Sequence, residues 1–268
     1  MEYSKLAVLL NKYPEAIYHV GDWPLSYWRS LRSHNPIISI LGEIRARLRL
    51  MEIKKSPVFV FVSVEDTNKA ISYGYRFSTH IPIGVNKPSI GIANSINTRM
   101  ICFSGNMRYG PNKEAAYNLL ELASNILASY KIVIVGYYAT DIEIGNLDNV
   151  YLIEDVYSVV NYLAENRPVF ISLLKTGAGS KNKILEALSA GCPIICTSES
   201  LDVSIPKSSA IQVISTTKDI IPILKYWNSD AGSIELKQCT DSLSAYISTE
   251  RSWSKVATML DNERRTNR

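Results

Sequence analysis

No stretch of the 268 residues stays apolar for the ~18 to 20 positions needed to cross a bilayer. The longest candidates, Val58 to Val64 and Lys131 to Val135, are strand-sized, which excludes a membrane-spanning helix. Leu6 to Leu10, preceded by Glu2, is too short for a secretory apolar region of roughly 7 to 15 residues, so a cytoplasmic location is expected. Cysteine is scarce: Cys102, Cys192, Cys196 and Cys239 form no CxxC pair with histidines at metal-ligand spacing. Buried free thiols, and no metal site, are expected. Charge of one sign is also in short supply. A net charge of +4 falls far below the basic stripe of a nucleic-acid binder, so no nucleic-acid partner is expected. The chain carries no internal repeat and no low-complexity tract.

What the chain does have is 46% apolar residues, enough for one large or two small domains with real cores. From about residue 100 onward, strand-like runs alternate with helix-period segments. Met100 to Ser104, Lys131 to Gly136, Val150 to Ile153, Pro168 to Leu173, Pro193 to Thr197 and Ala210 to Ile214 read as strands. Asn112 to Ala128, Val156 to Ala164 and Lys181 to Ala190 read as the helices between them. Central parallel strands are buried on both faces and should be near-continuously apolar, as KIVIVG, PVFIS and PIICT are. The fold class is α/β, with one complete Rossmann-like domain.

The first ninety residues supply less. Helices at Tyr3 to Lys12 and near Leu41 to Lys55, with strands at Ala16 to Val20 and Val58 to Ser63, make only part of a second domain. Pro82 to Thr98, rich in Gly, Pro, Asn and Ser, reads as a linker. Thr216 to Trp227 and Ile234 to Leu260 read as closing helices. The expected division is a partial N-terminal domain over 1–90, a Rossmann-like domain over 91–250 and a C-terminal helix and tail over 251–268.

The most informative run is Thr176 to Thr197, TGAGSKNKILEALSAGCPIICT, which follows the fourth strand of the Rossmann-like domain and opens a helix. Gly177 and Gly179 let the backbone approach a ligand closely, and a helix starting near Ser180 points free N–H groups beyond the strand end. Lys181 and Lys183 sit in its first turn, where a cation opposes the helix dipole unless an anion is present. A diphosphate would resolve that conflict. Glu186 lies one turn along and can accept hydrogen bonds from sugar hydroxyls. Spacing alone leaves a second reading open, a Gly-rich turn that merely joins a strand to a helix.

The same run closely resembles the signature of the family 4 glycosyltransferases (glycosyl transferases group 1) of the GT-B fold. There a Gly-rich turn, a basic residue and a Leu-Glu-Ala helix precede Gly-x-Pro and a strand ending in Thr. FSGNMRYGPNKEAAYNLL at 103–120 is similar to the opening strand, turn and helix of that family's nucleotide-binding domain. HIPIGVN at 80–86 resembles its interdomain segment, with Ile83 where Asn is usual. VEDTNKAI at 64–71 falls where the family has a Ser-Glu strand end, and YHVGDWPLSYWRSLRS at 18–33 is similar to a stretch late in the N-terminal domain of some members.

The resemblance implies transfer of a sugar from a UDP- or GDP-linked donor to a saccharide or lipid-linked acceptor in polysaccharide or glycolipid assembly. It implies retention of configuration and no bound metal or other cofactor, so fixed positive charge must stabilise the departing diphosphate. By carry-over Lys183, with Lys181, supplies that charge, Glu186 holds the donor ribose, and Gly105 and Asn106 lie at the phosphates. Gly177, Gly179 and Ser180 form the turn, and the backbone at Val156 and Tyr157 meets the base. Three departures stand out. Ala178 replaces the first glutamate of the family's E-x7-E motif, Asn106 and Asn112 replace a phosphate-binding Arg and Lys, and most of the acceptor-side domain is missing. A partner subunit supplying that part is therefore expected; the alternative is a non-catalytic binding or interaction subunit.

Three further features read mainly as structure. His19 and Asp22, at the end of a strand, read as packed residues rather than a catalytic base, and His34 and His80 carry less still. Tyr13, Tyr18, Trp23, Tyr27 and Trp28 read as core, or as surface left uncovered by the missing half-domain. In LGEIRARLRLMEIKK at 41–55 the apolar residues form one helical stripe flanked by arginines. Such a stripe is expected to cover a core, with peripheral contact to an acidic membrane as the alternative.

Overall fold

The computed structural model describes residues 18–20, 23–30, 32, 35–53, 59–175, 181–201 and 204–266. The chain divides into two compact units. One comprises residues up to Gly84 together with Trp253–Arg268; the other comprises Val85–Thr176 and Lys181–Ser252.

The first unit is built on three short parallel strands, β1 (Tyr18–Val20), β2 (Phe59–Phe61) and β3 (Ser78–His80), in that spatial order. Phe59 and Phe61 project to one face of β2, as the two-residue period requires, and Val60 to the other. The first face packs Phe59 and Phe61 with Trp23, Leu25, Ala46, Ala70 and Tyr75. Trp23 meets Phe61 and Tyr75 edge-on at 6.0 and 5.8 Å, and so belongs to the core. On the second face Val60 and Ile81 pack against Val256 of α9 (Trp253–Thr266). The sequence showed two strands here. The third, STH, is short, polar and half-buried, and only its pairing with β2 marks it.

Among the described residues this unit also holds the helices α1 (Pro24–Ser30), α2 (Pro36–Ile53) and α3 (Val64–Ser72). Ser63 caps α3 by accepting from the Asp66 amide at 3.4 Å. The orientation of α2 overturns the sequence expectation. Its buried residues are Ser39, Gly42, Glu43 and Ala46, whereas Ile37, Ile38, Ile40, Leu41, Ile44, Leu48 and Met51 are exposed. At Gly42 the reason is the close approach of Trp28: a Cβ there would stand 2.2 Å from the indole, so only glycine fits at that contact. The stripe therefore does not cover the core.

The second unit holds six parallel strands in the order β6-β5-β4-β7-β8-β9. They are β4 (Asn97–Ser104), β5 (Lys131–Val135), β6 (Val150–Ile153), β7 (Pro168–Ser172), β8 (Ile194–Cys196) and β9 (Ile211–Val213). Chain order 3-2-1-4-5-6 across one sheet is the doubly wound arrangement, and it reverses direction between β4 and β7. Every residue of β7 is buried, as are Met100 to Ser104 and Ile132 to Val135. Cys102, Cys192 and Cys196 are buried free thiols and Cys239 is partly buried.

The helices are α4 (Gly110–Ala123), α5 (Val159–Asn166), α6 (Asn182–Ser189), α7 (Ile220–Trp227) and α8 (Asp230–Glu250). Ser158 caps α5 and Ser229 caps α8 through their hydroxyls. A single helix over Ile234 to Leu260 was expected, but α8 stops at Glu250. There Val85 donates to the Arg251 carbonyl at 2.7 Å and pairs with Ser252, so the backbone leaves the helical path for a strand-like bridge.

The sheet is locked from beneath by Arg167, which caps α5 in a left-handed conformation (φ 40°) and is 1% exposed. Its Nε donates to Gly191 O at 2.7 Å and Nη1 to Ala93 O at 3.1 Å. Nη2 donates to Thr240 Oγ1 at 3.0 Å and forms an ion pair with Asp241. One side chain thus ties the segment entering β4, the turn after α6 and the middle of α8.

Candidate functional site

Ligands of doubly wound sheets lie beyond the carboxyl ends of the strands where the order reverses, here the ends of β4 and β7. After β4 the chain makes a tight passage. Gly105 adopts φ +157°, and a Cβ there would sit 2.7 Å from Asn112 Nδ2. Gly105 N–H donates to Val135 O and Met107 N–H to Tyr137 O, so the turn is stitched to the end of β5. Asn106 accepts from the Arg108 amide at 2.9 Å through its side chain. Its carbonyl accepts from Asn112 Nδ2 at 3.0 Å.

Asn112, buried on the inner face of α4, has a second partner. Its Oδ1 accepts from Lys183 Nζ, which projects from the first turn of α6. The ammonium also lies 5.2 Å from the centroid of the buried Phe103 ring. Lys183 is therefore turned in toward the end of β4, with its charge held against an aromatic face and an amide oxygen. Burial, helped by the neighbouring Lys181 charge and partly opposed by Glu186, lowers its pKa to about 8. Glu186, one turn along α6, has its pKa raised by burial, partly offset by Lys183. Lys181 occupies the N-cap of α6, where no described side chain caps the helix.

The structure thus gathers Gly105, Asn106, Lys183 and, through its charge, Lys181 around Asn112, with Glu186 at the next turn. Val156 and Tyr157 lie on the loop beyond β6, two strands away from β4; Tyr157 is fully exposed. Gly177, Gly179 and Ser180 lie outside the described residues, as do Asp22 and His34. His19 sits in β1 and His80 in β3, where His80 Nε2 is 3.2 Å from Val62 O. Sequence reasoning treated Asn112 only as a lost cation. Its position three residues before Ala115, on the apolar side of α4, was the available signal that it is a buried polar residue with work to do. Phe103 and Arg167 went unnoticed, since neither residue type announces such a role.

A cavity of about 650 Å³ opens at the ends of β7, β8 and β9, walled by Leu173, Lys175, Thr197, Glu199, Thr216 and Glu121 of α4 among others. It shares no lining residue with the Lys183 corner.

The doubly wound α/β unit thus places a partly buried lysine at its topological switch point, where ligands of such sheets lie. Residues 98–213 match the family described as Glycosyl transferases group 1. No curated protein matches the sequence. Among solved structures the chain is similar to the pneumococcal O-GlcNAc transferase GtfA in complex with UDP and GlcNAc. That pair has a TM-score of 0.57 and 12% identity, over 82% of this chain and 47% of the other. It is also similar to Anabaena HepE in complex with UDP, with a TM-score of 0.66 and 12% identity over 97% and 76%. A third is WaaG, a glycosyltransferase involved in lipopolysaccharide biosynthesis, with a TM-score of 0.63 and 13% identity over 97% and 81%. The chain spans about half the length of the pneumococcal transferase. At these identities the likeness shows a shared fold.

Proposed function

We propose that the protein is a glycosyltransferase, moving a sugar from a nucleotide-sugar donor to an acceptor hydroxyl. In that reaction the bond from the anomeric carbon to the diphosphate breaks and a bond to the acceptor oxygen forms. The acceptor proton passes to the departing diphosphate, directly or through solvent. Negative charge accumulates on the leaving phosphates, so a preorganised cation there lowers the barrier. The observation that carries the reading is Lys183, desolvated and aimed at the strand end beside Gly105.

In this reading the Lys183 ammonium meets the diphosphate, Lys181 and the start of α6 add positive potential, and the Glu186 carboxylate accepts from the ribose hydroxyls. The loop at Val156 and Tyr157 receives the base, which is UDP- or GDP-type. Retention of configuration, action without a metal ion, and a role in polysaccharide or glycolipid assembly at the cytoplasmic side of a membrane complete the proposal. GtfA and HepE were solved with UDP, which supports a uridine donor. A GtfA/B complex is among the similar structures, which supports a second subunit supplying the rest of the acceptor side. The family match and fold favour this reading over a non-catalytic binding subunit.

Equilibrium titration with UDP and GDP tests it. A charge-assisted phosphate contact contributes about 1.5–3 kcal/mol, so Lys183→Ala should weaken nucleotide binding by roughly tenfold or more. Unchanged affinity in that variant, or no affinity in the parent for either nucleotide, overturns the assignment. Release of free sugar from UDP- and GDP-sugars then selects the donor.

A further inference from the structure

The cavity at the ends of β7, β8 and β9 is a feature that sugar transfer at the Lys183 corner leaves unused. At about 650 Å³ it falls within the range of roughly 300–1,000 Å³ typical of small-molecule sites. Its rim is held by the strands themselves. Thr197 N–H donates to Ser172 O at 3.1 Å, Thr197 Oγ1 donates to Leu174 O, and Ile214 N–H donates to Cys196 O at 2.8 Å. Three strand ends are thereby tied together, and the cavity is formed before any ligand arrives.

The chemistry of the wall selects the ligand. Glu121 from α4 and Glu199 after β8 set two exposed carboxylates against one ammonium, Lys175, which is itself 3.6 Å from Glu114. That balance repels a phosphate or a nucleotide. Glu199 Oε2 accepts from Ser198 Oγ at 3.0 Å, which orients its carboxylate. One further group asks for an acceptor. Asn118 Oδ1 accepts from Lys175 Nζ at 3.3 Å, but Asn118 Nδ2 is buried with no acceptor among the described residues. A buried donor left unmet is costly, and a cation has no lone pair to offer it. A ligand oxygen would satisfy it once the amide turns about its Cβ–Cγ bond toward the cavity. The carboxylates take donors, the amide takes an acceptor, and net charge of either sign is disfavoured. Hydroxyl groups meet all three conditions, because each both donates and accepts. The aliphatic part of the wall, which includes Leu122, Leu173 and Ile214, suits the C–H face of a sugar ring.

We propose that this cavity binds a short neutral saccharide, with the Asn118 amide and the Glu121 and Glu199 carboxylates on its hydroxyls. It holds a glycan apart from the Lys183 corner, with which it shares no lining residue. The inference does not rest on the sugar-transfer reading, since saccharide binding is measured without nucleotide.

Saturation-transfer difference NMR on the full chain tests it, with maltotriose, lactose and N,N′-diacetylchitobiose as probes. Inorganic phosphate, spermidine and tetra-alanine serve as anionic, cationic and peptide controls. At least one saccharide should bind saturably and the controls should not. Asn118→Leu and Glu199→Ala should each weaken that binding roughly tenfold, with far-UV circular dichroism unchanged. Saturating UDP should leave the saccharide bound, because the two sites are separate. Binding of none of the three saccharides, binding that neither variant weakens, displacement of the saccharide by UDP, or preference for a control each overturns the proposal.

Discussion

The side-chain amide of Asn112 bridges the turn after β4 and the first turn of α6, donating to the Asn106 carbonyl and accepting from Lys183. Where an ammonium would float on a flexible stem, this bridge fixes it. Asn112→Ala should therefore weaken nucleotide binding about three- to tenfold, although the residue carries no charge, by releasing Lys183 from its position. Isothermal titration of the variant beside Lys183→Ala measures it, and the double variant should be no weaker than Lys183→Ala alone.

Nucleotide affinity should depend on pH in a defined direction. With its pKa lowered to about 8 by burial, Lys183 is protonated at neutral pH and loses its proton as pH rises past 8. Affinity should fall roughly tenfold between about pH 7 and pH 9, and Lys183→Ala should flatten the profile.

The same lysine weakens the unliganded fold. Because folding lowers its pKa from 10.5 to about 8, the unfolded chain binds more protons between those values, and stability rises with pH through that window. Below pH 8 the whole penalty is present. Lys183→Met should remove it, raising the melting temperature at pH 7 by roughly 2–4 °C, for a gain of about 1 kcal/mol. Differential scanning calorimetry at two pH values reads both effects.

Gly136 and Gly145 separate backbone strain from steric conflict. Both have positive φ, +128° and +59°, but a Cβ on Gly136 would stand 2.4 Å from the Gly105 carbonyl oxygen whereas one on Gly145 meets nothing within 4 Å. Gly136→Ala should cost about 3 kcal/mol in urea denaturation and disturb the turn at Gly105. Gly145→Ala should cost about 1 kcal/mol and leave binding intact.

Removal of the Arg167 guanidinium should be the most damaging substitution in the second unit. Arg167→Met leaves the Gly191 and Ala93 carbonyls without their donor and should cost about 3–5 kcal/mol. Asp241, whose side chain is 47% exposed, can be rehydrated, so Asp241→Asn should cost under about 1 kcal/mol. Urea midpoints of the two variants make the comparison.

The parallel sheet was legible because buried strands must be apolar on both faces, and KIVIV and PVFIS leave no other arrangement. The helix start that carries Lys181 and Lys183 was legible for a similar reason, since helical period is a local pattern; the glycine-rich turn before it lies outside the described residues. The Lys183 partner was not legible. Asn112 lies 71 residues away, and only the pairing of β4 with β7 brings the two residues together.

For α2 the sequence determined that its aliphatic residues share one face, because helical period is a property of the chain alone. Which face turned inward was decided by Trp28, whose indole accepts only Gly42 at contact. Periodicity sets what lies together along an element; the shape of its neighbour sets which side is buried. That difference separates a helix that closes a core from one that holds an aliphatic ridge out to solvent.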